Sequence, residues 1–276
     1  MEIEYSLVHL KQRTQINRFA EKERETLLLR VDGEFFLNYH PWGEFGDLNC
    51  QEFLNQYIKK KQLPPFMQEL LYLEKKRKVV AHKSFFNHSF GEESEKIPFT
   101  KIKYLGDLNS LIEKIKQAKT KLRIDFNLAL TRDQFNSFLA ELGQELIKKV
   151  DYFEDPYILD ENQKTLPIYE NLIACDRDSY CPKIHSFRIF KPNIDNFNFE
   201  KNFFVSSYMG HDLGIYHCYL FLLEYGNLNL HHGIVTPKVY SQSSDLFLNN
   251  GFEFMINVKA VEFLYKSLQE INWTKI

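Results

Sequence analysis

The 276-residue chain has only four cysteines, Cys50, Cys175, Cys181 and Cys218, with no C-x-x-C pair and no regular spacing. Cys175 lies inside an apolar run, where a reduced, packed thiol is expected. Charge of either sign is not in excess: 37 acidic against 35 basic residues leave a net charge of -2, so no global field recruits nucleic acid or an anionic membrane. The basic runs Lys59–Lys61 and Lys75–Lys78 are short and are expected to be solvated helix faces. No stretch approaches the roughly 20 apolar residues that span a bilayer. The opening Met1–Tyr5 carries neither a basic start nor an apolar core, so a soluble, cytoplasmic protein is expected. G-x-S-x-G, Walker and G-x-G-x-x-G motifs are missing too, which removes support for acyl transfer, nucleotide hydrolysis and dinucleotide redox chemistry.

Apolar residues are plentiful, at 44% of the chain with 25 phenylalanines, enough for one large α/β domain or a barrel with a smaller companion. The first hundred residues differ from the rest. Thr26–Val31, then Asp32-Gly33, then Glu34–Tyr39 reads as a hairpin around an Asp-Gly turn. A helical stretch from about Gln51 is broken by Pro64-Pro65 and resumes through Phe66, with proline well placed at the restart. From about Lys83 the pattern becomes strand, helix, strand. Ser84–Phe90 is a candidate first barrel strand, and Leu108, Leu111, Ile112, Ile115 and Ala118 mark one helix face. The next helix opens on Thr131-x-x-Gln134, a capping box, and continues through Phe135, Phe138, Leu139, Leu142 and Leu146. Only about ten residues separate Asp176 from the run at Phe187, so some barrel helices are expected to be lost. After Asn249-Asn250-Gly251 the tail returns to helix, with Val258, Val261, Leu264, Tyr265 and Leu268 on its apolar face.

Five short apolar runs carry the chemistry: Lys101-Ile-Lys103, Arg123-Ile-Asp125-Phe-Asn127, Tyr152-Phe-Glu154, Ala174-Cys-Asp176 and Arg188-Ile-Phe-Lys191. Steps of 22, 29, 22 and 15 residues separate Lys103, Asp125, Glu154, Asp176 and Lys191, each about one strand plus a connection. Consecutive strand ends of a β/α barrel converge on one mouth, where active sites lie. Residues i and i+2 share a strand face, so Lys101 and Lys103 point one way, as do Arg123, Asp125 and Asn127. Two adjacent ammonium groups depress each other's pKa, which a lysine base requires near neutral pH. Asp125, Glu154 and Asp176 offer hard oxygens to Mg²⁺, or to Mn²⁺ in its place, leaving room for a substrate carboxylate. Lys191 would face Lys103 across the metal.

The order K-x-K, R-x-D-x-N, E-D-P, D, F-K-P resembles the enolase superfamily, and within it the muconate-cycloisomerase-like o-succinylbenzoate synthase family. The resemblance implies an N-terminal α+β capping domain, residues 1–82 joined by about 249–276, on a modified, compact β/α barrel, residues 83–248. It implies dehydration of 2-succinyl-6-hydroxy-2,4-cyclohexadiene-1-carboxylate on the menaquinone pathway. Lys103 would be the general base and Lys101 its assistant. Lys191 would hold the enediolate by a cation–π contact with the ring, and Arg123 would order the site at its substrate side, with Asn127 behind the metal ligands. Ser206, Ser207 and Gly233 resemble the strand ends that hold the succinyl carboxylate. Loops 11–18 and 41–47, with Trp42 and Phe45, are either lids over the mouth or packing at the domain seam. The chain departs from the family at Arg177, where Glu is usual, and at Gly210, where many relatives carry an acid. His231 and His232 point opposite ways and read as structural histidines. Two other activities stay open: an N-acylamino acid racemase or dipeptide epimerase using the same lysines, and a non-catalytic binding protein on a decayed scaffold. The expected partner is a small-molecule carboxylate, and oligomeric state is not fixed.

Overall fold

The computed structural model describes residues 1–12, 23–43, 46–78, 82–93, 96–158, 172–176, 187–191, 203–207, 209–235, 240, 245–250 and 253–276. Its first unit is an antiparallel sheet of β1 (Ile3–Lys11), β2 (Glu23–Val31) and β3 (Phe35–Tyr39). Asp32 and Gly33 both take positive φ, 51° and 71°, as the tight turn between β2 and β3 requires. Leu27, Leu29 and Val31 of β2 and Leu37 and Tyr39 of β3 are buried in one core with residues of α1 (Cys50–Gln56) and α2 (Pro65–Lys76), and Tyr39 stacks on Phe53 at 3.9 Å. Asn49 and Glu52 form a capping box on α1, and Pro65 opens α2 after an extended Pro64.

The second unit is a barrel. β4 (Phe85–Asn87) and β5 (Ser89–Phe90) are two halves of one line, on either side of His88. From β5 a parallel ladder runs through β6 (Phe99–Lys103), β7 (Lys121–Asp125), β8 (Val150–Glu154), β9 (Ile173–Cys175), β10 (Phe187–Phe190) and β11 (Phe203–Val205). Ser206 bridges Gly233, and β12 (His231–His232) pairs in parallel with β4, which closes the ring. Helix α3 (Leu108–Gln117) follows β6 and α4 (Arg132–Ile147) follows β7, the latter starting at the Thr131–Gln134 capping box. Their apolar faces pack on the barrel exterior through Leu111, Ile112, Ile115, Phe135, Phe138, Leu139 and Leu142. The short connection 177–186, on which the expectation of a lost helix falls, lies outside the described residues.

The tail holds a correction. β13 (Phe247–Asn250) and β14 (Glu253–Ile256) pair antiparallel before helix α6 (Val258–Gln269) begins. β14 pairs antiparallel with β4, and β15 (Thr274–Lys275) pairs antiparallel with β1, so the C-terminal segment joins both units. Of the expected apolar face of α6, Leu264 and Leu268 are buried while Val258 is exposed. The basic run Lys75–Lys78 is not uniformly solvated either. Arg77 lies over the ring of Tyr265 and pairs at 3.2 Å with Glu74, a fully buried carboxylate that also accepts from Tyr265 and faces His217 Nε2 at 3.3 Å.

Helix α5 (Asp212–Tyr225) ties the two units, since its residues share one core with β3, α2 and α6. The seam leaves no space at Gly210: a β-carbon there would fall 2.6 Å from His40 Cγ. His40 is fully buried, with Nε2 3.3 Å from the Tyr240 hydroxyl, so its ring cannot retreat cheaply. This gives a steric reason for glycine where relatives carry an acid. Gly210→Ala is expected to cost about 1–3 kcal/mol, seen as a lower urea midpoint with an unchanged slope.

Candidate active site

The parallel register brings the five motifs to one rim. Lys103 pairs with Asp125, Asp125 with Glu154, and Glu154 with Ala174, two residues before Asp176. Ala174 pairs with Phe187, four residues before Lys191, and Phe190 pairs with Val205, which sets Ser206 level with Lys191. Barrel strands tilt, so each further strand reaches the same height with residues later in its own register. The offsets are even, and even offsets keep all these residues on the lumen side of the pleat.

Lys101, one turn of the pleat below Lys103, is buried with its ammonium 2.7 Å from Glu154 Oε1 and 3.2 Å from Asp125 Oδ2. Burial alone would lower its pKa, but the carboxylates of Asp125 and Glu154 outweigh that and hold it well above the ordinary lysine range. Lys103 is different. Its nearest charge partner is Asp125 Oδ2 at 3.9 Å, and burial, helped by Lys101 and Lys191, pulls its pKa down. Mutual depression of the two lysines therefore operates on Lys103 and not on Lys101.

Lys191 pairs with Asp176 Oδ2. Glu154, Asp155 and Asp176 each offer one oxygen within 4.8 Å of the others. Asp155 was missed by strand alternation, because neighbours on a strand point apart. Here the strand ends at Glu154 and Asp155 turns to φ 41°, where its Oδ1 accepts from the Asp176 amide at 3.0 Å. Burial first, then the Asp125 carboxylate, pushes the Glu154 pKa up to about 7. Crowded, buried hard oxygens of this kind fit a divalent cation, whose charge would relieve their repulsion.

The remaining expected residues fall as follows. Asn127 is not on the strand face with Asp125: β7 ends at Asp125, Asn127 takes φ 48°, and its backbone N–H, not its side chain, donates to Asp125 Oδ1 at 3.1 Å. Arg123 is buried in the lumen below the carboxylates, bonded through Nε to Asp151 at 2.8 Å and through Nη1 to the His231 carbonyl at 2.5 Å. The rings of Phe99, Tyr152 and Phe204 surround its guanidinium at 4.5–5.0 Å. These contacts order the barrel interior and leave the guanidinium facing protein. Ser206, Ser207 and Gly233 do meet, with the Ser207 amide donating to the Gly233 carbonyl at 3.1 Å. His232 is structural: Nδ1 accepts from the Val205 amide and Nε2 lies 3.0 Å from the Asn227 carbonyl. Trp42 is packed, with Arg24 3.9 Å over its ring, while Phe45, residues 13–18 and Arg177 lie outside the described residues.

No protein-family profile matches the chain. It is 24% identical over 292 residues to an o-succinylbenzoate synthase of Bdellovibrio bacteriovorus, covering 88% of each chain. Among solved structures, it superposes with TM-score 0.68 on o-succinylbenzoate synthase from Thermosynechococcus elongatus with Mg in the active site, at 13% identity, covering 97% of this chain and 100% of that one. A TM-score of 0.67 relates it to an enolase family member from Agrobacterium tumefaciens with homology to dipeptide epimerases, at 12% identity over 92% of this chain and 97% of that one. No described helix is long and apolar enough to cross a membrane. The chain has the fold of the enolase superfamily, a β/α barrel with an N-terminal capping unit, and its likeness to o-succinylbenzoate synthases is supported by the Bdellovibrio relative and the Thermosynechococcus structure.

Proposed function

We propose that the chain is an o-succinylbenzoate synthase, a hydro-lyase that converts 2-succinyl-6-hydroxy-2,4-cyclohexadiene-1-carboxylate to o-succinylbenzoate and water in menaquinone biosynthesis. Residues 1–82 and 249–276 then act as the cap, and 83–248 as the catalytic barrel. The observation that supports the reading is that each of two lysines meets a carboxylate of the rim, Lys103 beside Asp125 and Lys191 on Asp176. Asp125, Glu154 and Asp176 would hold Mg²⁺, with Asp155 closing the cluster. When bound, the ion supplies stabilisation for charge that builds on a carboxylate as its α-proton leaves.

The rest of the reaction falls to side chains. Lys103, once deprotonated, takes the α-proton. Lys191, cationic, offsets the negative charge left on the substrate. The C–O bond then breaks, and in a syn elimination the protonated Lys103 is on the correct face to return its proton to the departing hydroxyl. Lys101, locked between Asp125 and Glu154, stays charged, and its charge adds to burial in lowering the Lys103 pKa.

Loss of the cyclohexadiene absorbance on adding Mg²⁺, reversed by EDTA, tests the reading directly. Turnover of dipeptides or N-acylamino acids without that loss would favour the epimerase reading, which the Agrobacterium neighbour supports. A pH dependence follows from the role of Lys103. The base works only when deprotonated, so kcat/KM should rise with pH through the Lys103 pKa and level off above it. Because that pKa is lowered from 10.5, the rise should come earlier than for an ordinary lysine, and a profile still climbing steeply at pH 10.5 would count against the assignment.

A further inference from the structure

His88 interrupts the first barrel strand and is buried beside the site, at 5% exposure. Its Nδ1 lies 3.1 Å from Arg123 Nη1. Arginine can only donate, so Nδ1 must accept, and the ring proton is fixed on Nε2. Desolvation, with the Arg123 and Lys101 charges next, holds the His88 pKa well below the ordinary range, so the ring is neutral and this single tautomer persists. The other edge of the ring lies against Gly233. A β-carbon at residue 233 would fall 2.7 Å from His88 Cε1, 3.1 Å from Ser206 Oγ and 3.2 Å from His88 Nε2. A glycine is thus the only residue that lets the ring and the hydroxyl converge there.

The His88 Nε2–H therefore meets the Ser206 hydroxyl, which donates to the Gly233 carbonyl at 3.4 Å, at the end of the strands that the functional reading assigns to substrate. The charges of Lys101 and Arg123 bear on the same ring from below. Donors in a positive field select an oxyanion. We propose that His88 is a substrate-contacting residue, whose Nε2–H, beside the Ser206 hydroxyl, holds a second carboxylate remote from the carbon that loses its proton. This inference rests on the functional reading above and adds to it a residue that fixes the substrate as a dicarboxylate.

Two substitutions separate contact with ligand from support of Arg123. His88→Asn can place its amide oxygen where Nδ1 accepts from Arg123, but has no atom at the Nε2 position. His88→Gln can place an amide N–H near the Nε2 position while giving up the bond to Arg123. With Mg²⁺-loaded protein and o-succinylbenzoate as the calorimetric probe, His88→Asn should weaken binding by about ten- to hundred-fold, the loss of one hydrogen bond to a charged group. His88→Gln should stay within a few-fold of wild type, and KM should follow binding while kcat changes less. The reverse pattern, or no change in either variant, overturns the proposal and leaves His88 as a tie to Arg123. Failure of the wild-type protein to bind o-succinylbenzoate would instead overturn the functional reading, and this proposal with it. Should both variants lose binding, the ¹⁵N resonances of the wild-type ring decide. A protonated Nε2 that shifts on adding o-succinylbenzoate supports contact, and an unmoved one overturns it.

Discussion

Replacing Lys103 with alanine is expected to lower kcat by about 10²–10⁴-fold, the span of a positioned general base, while Mg²⁺ affinity stays near that of the wild type. The split follows from where the charges lie. Lys103 stands at the edge of the carboxylates, 3.9 Å from Asp125, whereas Lys101 takes the close bonds to Asp125 and Glu154. Removing Lys103 takes away the proton acceptor and leaves the oxygens where they are. Single-turnover absorbance and a calorimetric Mg²⁺ titration on the same preparation would read the two effects apart. Parallel loss of metal binding would make Lys103 a structural member of the cluster, and most activity retained would move the base to another residue.

Glu154→Gln should do the opposite, losing metal and turnover together. Glu154 is fully buried, belongs to the group of oxygens within 4.8 Å of one another, and receives the Lys101 ammonium at 2.6–2.7 Å. Affinity for a hard cation follows ligand charge, so a drop on the order of 100-fold in Mg²⁺ binding is expected. Removing one partner of a buried ion pair costs about 3–5 kcal/mol. The amide oxygen and Asp125 still face Lys101, so the melting temperature should fall by less than that figure implies. Excess Mg²⁺ that restored full activity would show that Glu154 is not needed as a ligand.

Much of this arrangement was legible because it depends on short-range rules. Alternation put Lys101 with Lys103 on one face, capping residues marked the start of α4 at Thr131, and Asp32-Gly33 announced the turn between β2 and β3. What alternation could not reach are the places where strands stop. Asn127 and Asp155 both sit just past a strand end at positive φ, so their groups go where the turn sends them, and one leaves the expected face while the other joins the cluster. The packing around Arg123, a residue the motifs did point to, and the place of His88 depend on something else. A cation beneath three aromatic rings and a histidine opposite a glycine are contacts between segments 24 to 145 residues apart, which no local pattern encodes. The β13–β14 pair was overlooked because its partner, β4, lies far back in the chain.

The pairing of β15 with β1 has a bearing on synthesis. β1, β2 and β3, with α1 and α2, are translated before the barrel, but their outer strand and α6 follow only after the barrel has been made. At about 5–20 residues per second, the roughly 190 intervening residues take on the order of 10–40 s. Throughout that interval β1 is an unprotected edge, open to pairing with another nascent chain. The sheet of β1–β3 is thus made before the barrel and completed only after it.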